Sequence, residues 1–146
     1  MDLPPHSVRL CLTSSPALLP VVRAAVEAFA RLAGFDEADC GRIVLSADEA
    51  LTNIIRHAYG GATDRPIEVT IARPDGQRAC LRIEIRDWGE PVDAARIKPR
   101  DLSDVRPGGL GVHIMTCCMD EVRFEPGEGG GTRLTMTKRI AGDAHE

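Results

Sequence analysis

Three polar side chains recur every fourth residue in the stretch SADEALTNIIRHAYGG, residues 46–61: Glu49, Asn53 and His57. On an α-helix, at about 100° per residue, a step of four advances by only about 40°, so the three draw a nearly straight line along one side. Glu49 can take a proton from an attacking hydroxyl or water. Asn53 offers a neutral oxygen suited to Mg2+, which keeps waters and phosphate oxygens in its remaining positions. His57 can reach a phosphate. The same spacing also describes a solvated helix face, and the triplet alone does not choose between the two.

Two further clusters carry chemistry of their own. IEIRDWGEP ends an apolar alternation on Asp87, with Gly89 two residues later. A carboxylate there can accept a hydrogen bond from an exocyclic amine such as adenine's, and the glycine lets a ring lie close to the backbone. An aspartate capping a turn is the plain alternative. In RPGGLGVHIM, Gly108, Gly109 and Gly111 open an apolar segment of helical character, so bare amides at a positive helix end can meet an anion. A turn before a helix explains the glycines equally well. No Lys-Ser or Lys-Thr follows them, so the motif is not a P-loop, and no parallel strand-turn-helix unit contains it, so it is not a dinucleotide fingerprint.

These residues need a frame to hold them. SVRLCL alternates and reads as a first strand; Ser14 or Ser15 before Pro16 starts a helix that runs from about Ala17 to Ala33 and stops at Gly34. Asp36 opens a second helix with acidic residues in its first turn, and its apolar face runs from Ile43 to Ala58 before Gly60-Gly61. PIEVTIARP and ACLRIEIRDW are strands about an Asp75-Gly76 hairpin signal, and each alternates as a half-buried strand does. After a charged, proline- and glycine-rich stretch, LGVHIMTCCM is a short helix, and EVRFE and TRLTMTKRI are the last strands. Five strands and three helices, with strands clustered after helices, predict an α+β two-layer sandwich rather than a doubly wound parallel sheet.

Composition limits what the site can serve. At 146 residues and 43% hydrophobic content the chain has the length and apolar share of one domain. Acidic residues outnumber Lys and Arg 22 to 18, for a net charge of -4, which argues against blanket neutralisation of a nucleic acid backbone. Five cysteines without a CxxC pair predict reduced, largely buried thiols in a cytoplasmic protein. ALLPVVRAAVEAFARLA is interrupted by Pro20, Arg23 and Glu27, so it predicts neither a membrane span nor a secretory leader.

Taken in order, E-x-x-x-N on a helix, D-x-G at a strand end, a loop closing on G-G-x-G and G-G-T entering the last strand resemble the N, G1, G2 and final G-x-T elements of the GHKL ATPase superfamily. The likeness runs from about Val8 to Ile140 and is greatest to the small anti-sigma-factor serine kinases of bacteria. It implies the Bergerat fold, with helices on one face of a mixed, mostly antiparallel sheet, in one domain over residues 1–146 with a core of about 8–140. It also implies ATP and Mg2+. Asn53 would ligate Mg2+ bridging the phosphates, with His57 nearby, and Glu49 would be the base that activates a Ser or Thr hydroxyl of a protein substrate. Asp87 would bind the adenine amine with Gly89 beside the ring, and Thr132 would support Asp87 or a nearby water. Gly108, Gly109, Leu110, Gly111 and Val112 would hold the phosphates, with charge from Arg106, and residues of about 90–107 would form an ATP lid.

The resemblance also implies partners: a sigma factor, an anti-anti-sigma protein of the STAS class, and a second copy in a homodimer. Arg23, on the outer side of the first helix, would be a partner contact. Pro91 stands where the G1 element usually has its second glycine, which removes one amide and stiffens the start of the lid. A histidine kinase shares the boxes, yet none of His6, His57, His113 and His145 has the helical setting of a phosphoacceptor. A non-catalytic module that switches partner binding with nucleotide occupancy is the alternative. It has no use for a base, which Glu49 supplies.

Overall fold

The computed structural model describes residues 2–74, 80–90 and 109–140, with backbone alone for 109–111. The chain runs through β1 (Ser7–Thr13), a 3-10 turn (Pro16–Leu18), α1 (Leu19–Leu32) and α2 (Glu37–Asn53), which continues as a π-helical turn (Ile54–Ala58). Then follow β2 (Pro66–Ala72), β3 (Cys80–Asp87), α3 (Gly109–Cys118), β4 (Glu121–Pro126) and β5 (Thr132–Arg139). The strands form one sheet in the order β1-β2-β3-β5-β4, and every pairing is antiparallel. The expected α+β two-layer sandwich is the architecture found, its sheet antiparallel throughout the described residues rather than mixed. The Asp75-Gly76 hairpin, Pro91, Arg106, Gly108 and the lid beyond Glu90 lie outside those residues.

Alternation builds the inner face of the sheet. Ile67, Val69 and Ile71 of β2, Leu81, Ile83 and Ile85 of β3, and Leu134 and Met136 of β5 are all buried in one core. Val22, Val26, Phe29 and Ala30 of α1 and Ile43, Ala47, Ala50 and Leu51 of α2 close the same core from the helix layer. Each buried Val, Leu, Ile, Phe or Met among them contributes roughly 1.5–3 kcal/mol by leaving water. Helix ends are set by local chemistry. Ser15 Oγ accepts from the Ala17 amide at 3.3 Å, and the Asp36 carboxylate accepts from the Asp39 amide at 2.8 Å, a cap of about 1 kcal/mol. α1 ends in a Schellman motif: the Phe35 amide donates to Ala30 O and the Gly34 amide to Arg31 O, both at 3.1 Å, with Gly34 at φ 97°. Lys138 Nζ donates to Cys118 O at 2.6 Å and ties the end of α3 to β5.

The thiols are free, as expected, but less buried than expected: Cys40 and Cys80 are buried, whereas Cys11 and Cys117 are exposed. Cys11 falls on the outward phase of β1, opposite Glu68, and so leaves the core despite its apolar neighbours in sequence.

Candidate functional site

Asp87 is the last residue of β3 and pairs with Thr132, the first of β5. Strand alternation turns its side chain toward the helix layer, where it is 2% exposed. Burial pushes its carboxyl above the ordinary value; backbone hydrogen bonds from Gly89 and Thr132 and the nearby Arg86 charge oppose that shift. The Gly89 amide donates to Asp87 Oδ1 at 3.0 Å. A buried carboxylate has few donors about it, and a ligand N–H meets it at little loss of hydration.

Three successive amides fix the turn after Asp87, two of them on the end of the second helix. Trp88 N–H donates to Tyr59 Oη at 2.8 Å, Gly89 N–H to Asp87 itself, and Glu90 N–H to Ala58 O at 2.9 Å. A Cβ on Gly89 would lie 2.3 Å from Ala58 O, so no larger residue fits between turn and helix. From the other side, a Cβ on Gly131 would lie 2.1 Å from Asp87 O, and Gly131 holds φ 71°. Asp87 is thus clamped between the end of the second helix and the start of β5, beside the buried Thr132.

The same helix carries the polar line. Glu49 and Asn53 are half-buried on α2, Asn53 being its last residue. Residues 54–58, which carry His57, form a π turn rather than the α-helical turn expected. His57 is exposed. α3 packs against α2, and Gly109, Leu110 and Gly111 form the first turn of α3. Val112 is half-buried against the core. The end of the helix of Glu49 and Asn53, the Asp87–Gly89 turn and Thr132 are therefore brought together, with α3 alongside α2. Arg23 stands apart: its Nε donates to Asp48 Oδ1 at 2.7 Å, an exposed tie between α1 and α2.

Two contributors escaped the sequence reading. Tyr59 was the end of an apolar helix, with nothing local to show that its hydroxyl meets Trp88. Arg86 reads as an outward charge in phase with Arg82 and Glu84, yet it is 7% exposed. Its guanidinium donates to Asp87 O, to Glu128 O at 2.5 Å and to Thr132 O at 3.5 Å, and lies over the Trp88 ring with 4.6 Å to the centroid. The hairpin of residues 127–131 covers it, and the guanidinium fills the space a Cβ on Gly127 would need. Glycine enrichment in PGEGGG was the available signal.

Trp88 therefore belongs to the outer face of the sheet, across from the Asp87 carboxyl. It lines a groove of about 320 Å³ there with Arg9, Glu68, Glu84 and Arg133. Arg133 Nε is 2.8 Å from Glu84 Oε1, an ion pair whose N–H is not aimed at the oxygen. Opposite charges line this groove in equal measure, unlike the buried Asp87 on the other face.

Among the described residues, no group of three or more His, Cys, Asp or Glu is placed to hold a metal ion, and no helix is long and apolar enough to cross a membrane. A family model described as a histidine kinase-like ATPase domain matches residues 12–138. Similar curated proteins include the serine-protein kinase RsbW of Bacillus velezensis, 25% identical over 93% of this chain and 87% of its own length. RsbW of Listeria monocytogenes is 28% identical over 91% and 87%, and that of Bacillus subtilis 27% over 93% and 87%. Among solved structures, the RsbU and RsbW domains of a Mycobacterium tuberculosis protein match at TM-score 0.65 and 24% identity, over 91% of this chain and 32% of that one. A blue-light-activated histidine kinase domain of Erythrobacter litoralis matches at 0.53 and 19%, over 87% and 61%.

Proposed function

The chain belongs to the histidine kinase-like ATPase domain family, and from that premise we propose that it is an ATP-dependent serine/threonine-protein kinase and anti-sigma factor. It would hold a sigma factor and phosphorylate a STAS-type antagonist, as a single cytoplasmic domain over residues 1–146 that forms a homodimer. The observation that carries the reading is the packing of the buried Asp87 turn directly on the end of the helix that bears Glu49 and Asn53. That contact joins Asp87, proposed to read the base, and Glu49, proposed to take the proton, through one connected unit. The curated relatives, named as serine-protein kinases, support the reaction type.

In this reading the Asp87 carboxylate accepts from the adenine amine, Gly89 lets the ring approach, and Thr132 steadies the carboxylate. The phosphates lie toward the first turn of α3, at Gly109, Leu110, Gly111 and Val112, with Gly108, Arg106 and His57 nearby. The substrate hydroxyl oxygen bonds to the γ-phosphorus, the bond to the β–γ bridging oxygen breaks, and ADP leaves with that electron pair while Glu49 takes the hydroxyl proton. Asn53 would supply one neutral oxygen, and among the described residues no group of three or more His, Cys, Asp or Glu converges there, which fits Mg2+ that takes its other ligands from water and phosphate. When bound, that ion neutralises charge on the phosphates. Arg23 would contact the partner, exchanging its tie to Asp48 for one across the interface.

The test is direct. The purified chain is mixed with Mg-ATP and a STAS-domain protein, and phosphate is located by mass spectrometry. A phosphoserine or phosphothreonine that vanishes with Glu49→Ala supports the kinase. Tight ATP binding with no transfer to any partner points instead to a nucleotide-switched binding module.

A further inference from the structure

Tyr59 is the chain's one tyrosine, and the site as read above gives it no task. Its hydroxyl donates to Pro66 O at 2.5 Å and accepts from the Trp88 amide at 2.8 Å, so a single oxygen links the start of β2, the end of the second helix and the Asp87 turn. Of the three amides that fix this turn, one goes to Asp87 itself and one to backbone; only the Trp88 amide meets a side chain outside the turn. The π turn sets where that side chain stands. The Tyr59 amide donates to Ile54 O at 2.9 Å, five residues back, and the extra residue in this turn changes the direction in which Tyr59 leaves the helix. Burial pushes the Tyr59 hydroxyl up from its ordinary value, which keeps it protonated and able to donate to Pro66. The ring is half-buried against the core, while the hydroxyl is turned to these two backbone partners, so the polar end does work that the packing of the ring does not.

We propose that Tyr59 is the positioning residue for base recognition: its hydroxyl holds the Asp87–Gly89 turn at the spacing at which the carboxylate meets a 6-amino purine rather than a 6-oxo purine. The inference rests on the reading of Asp87 as the acceptor for the adenine amine. A site built to hydrogen-bond one group rejects the analogue lacking it, because the buried carboxylate is then left facing an acceptor. Tyr59 touches neither nucleotide atom; it acts through the backbone of Trp88.

The experiment measures binding of Mg-ATP and of Mg-inosine triphosphate, whose ring carries oxygen in place of the amine, to the full chain, to Tyr59→Phe and to Asp87→Asn. The parent chain should prefer ATP by at least about tenfold. Tyr59→Phe should shrink that preference by about 3–10-fold, the scale of one lost hydrogen bond, and leave inosine triphosphate binding within about twofold. Equal weakening of both nucleotides, or an unchanged preference, overturns the proposal, since a purely structural role moves both together. A parent chain without preference, matched by Asp87→Asn, sinks the reading of Asp87 first, and does so without reference to Tyr59. Should Tyr59→Phe fail to fold, growth on 3-fluorotyrosine labels this one position and keeps the hydroxyl. Its fluorine resonance should shift more on ATP than on inosine triphosphate, and equal shifts count against the proposal.

Discussion

Arg86 and Asp87 are neighbours in sequence, both buried charges at the end of β3, and they point to opposite faces of the sheet. Arg86 is satisfied within the chain: three carbonyl oxygens and the Trp88 ring surround its guanidinium, under a glycine hairpin shaped to receive it. Among the described residues Asp87 meets the backbone donors of Gly89 and Thr132, and burial holds it toward its neutral form. One charge is completed by the fold, whereas the other, in the proposed reading, takes a donor from the nucleotide. The contrast separates a buried charge that builds the structure from one that the structure holds ready, and burial alone would not have told them apart.

The comparison can be broken at several points. Glu49→Ala, on the helix-covered side, should reduce phosphotransfer by about 10²–10⁴-fold while the denaturation midpoint hardly moves; retained transfer would remove Glu49 as base. Arg86→Met should show the reverse, a loss of about 2–4 kcal/mol in urea unfolding as three carbonyls lose their donor. An Arg86→Met chain of unchanged stability would mean that the outer-face charge is not structural. Gly131→Ala joins the two sides, since its Cβ would press on Asp87 O and φ 71° strains any other residue. It should lose about 1–3 kcal/mol and weaken nucleotide binding as well, both readable from a thermal shift with and without ATP.

Asp87→Asn should weaken ATP binding yet not destabilise the free protein at neutral pH. Because its folded pKa is raised above the ordinary 3.8, the folded chain holds this proton longer than the unfolded one. The stability of the parent chain relative to Asp87→Asn should therefore fall as pH rises from that value through the raised one, and the two should converge in acid. A parent chain that gains on the variant over that window would reverse the assignment. Smallest of all, Arg23→Ala removes an exposed ion pair and should change stability by less than about 1 kcal/mol, so any loss of partner binding would be read at the interface.

What could be read beforehand follows from the range of each interaction. Asp36 as a cap, Ser15-Pro16 as a helix start and Gly34 as a stop are settled within four residues of themselves, and sequence shows them. The inner face of β3 is written in the alternation of Leu81, Ile83 and Ile85. Asp87 and Gly89 were visible as a motif. Arg86 was not singled out because its cover comes from residues 127–131, some forty positions on, and Tyr59 because its partner at Trp88 exists only after β3 is in place. The π turn that carries His57 was not visible because hydrophobic spacing carries no mark of one.

That turn between Asn53 and Tyr59 has an implication for how this region can vary. Side chains there can be exchanged one at a time while the helix keeps its count, but a one-residue deletion within 54–58 would restore ordinary winding. The apolar face would still find the sheet, whereas Ala58 and Tyr59 would come round at another angle and release the Asp87 turn. The number of residues in this segment is itself a specification, one that a scan of substitutions passes over and a single missing codon would reveal.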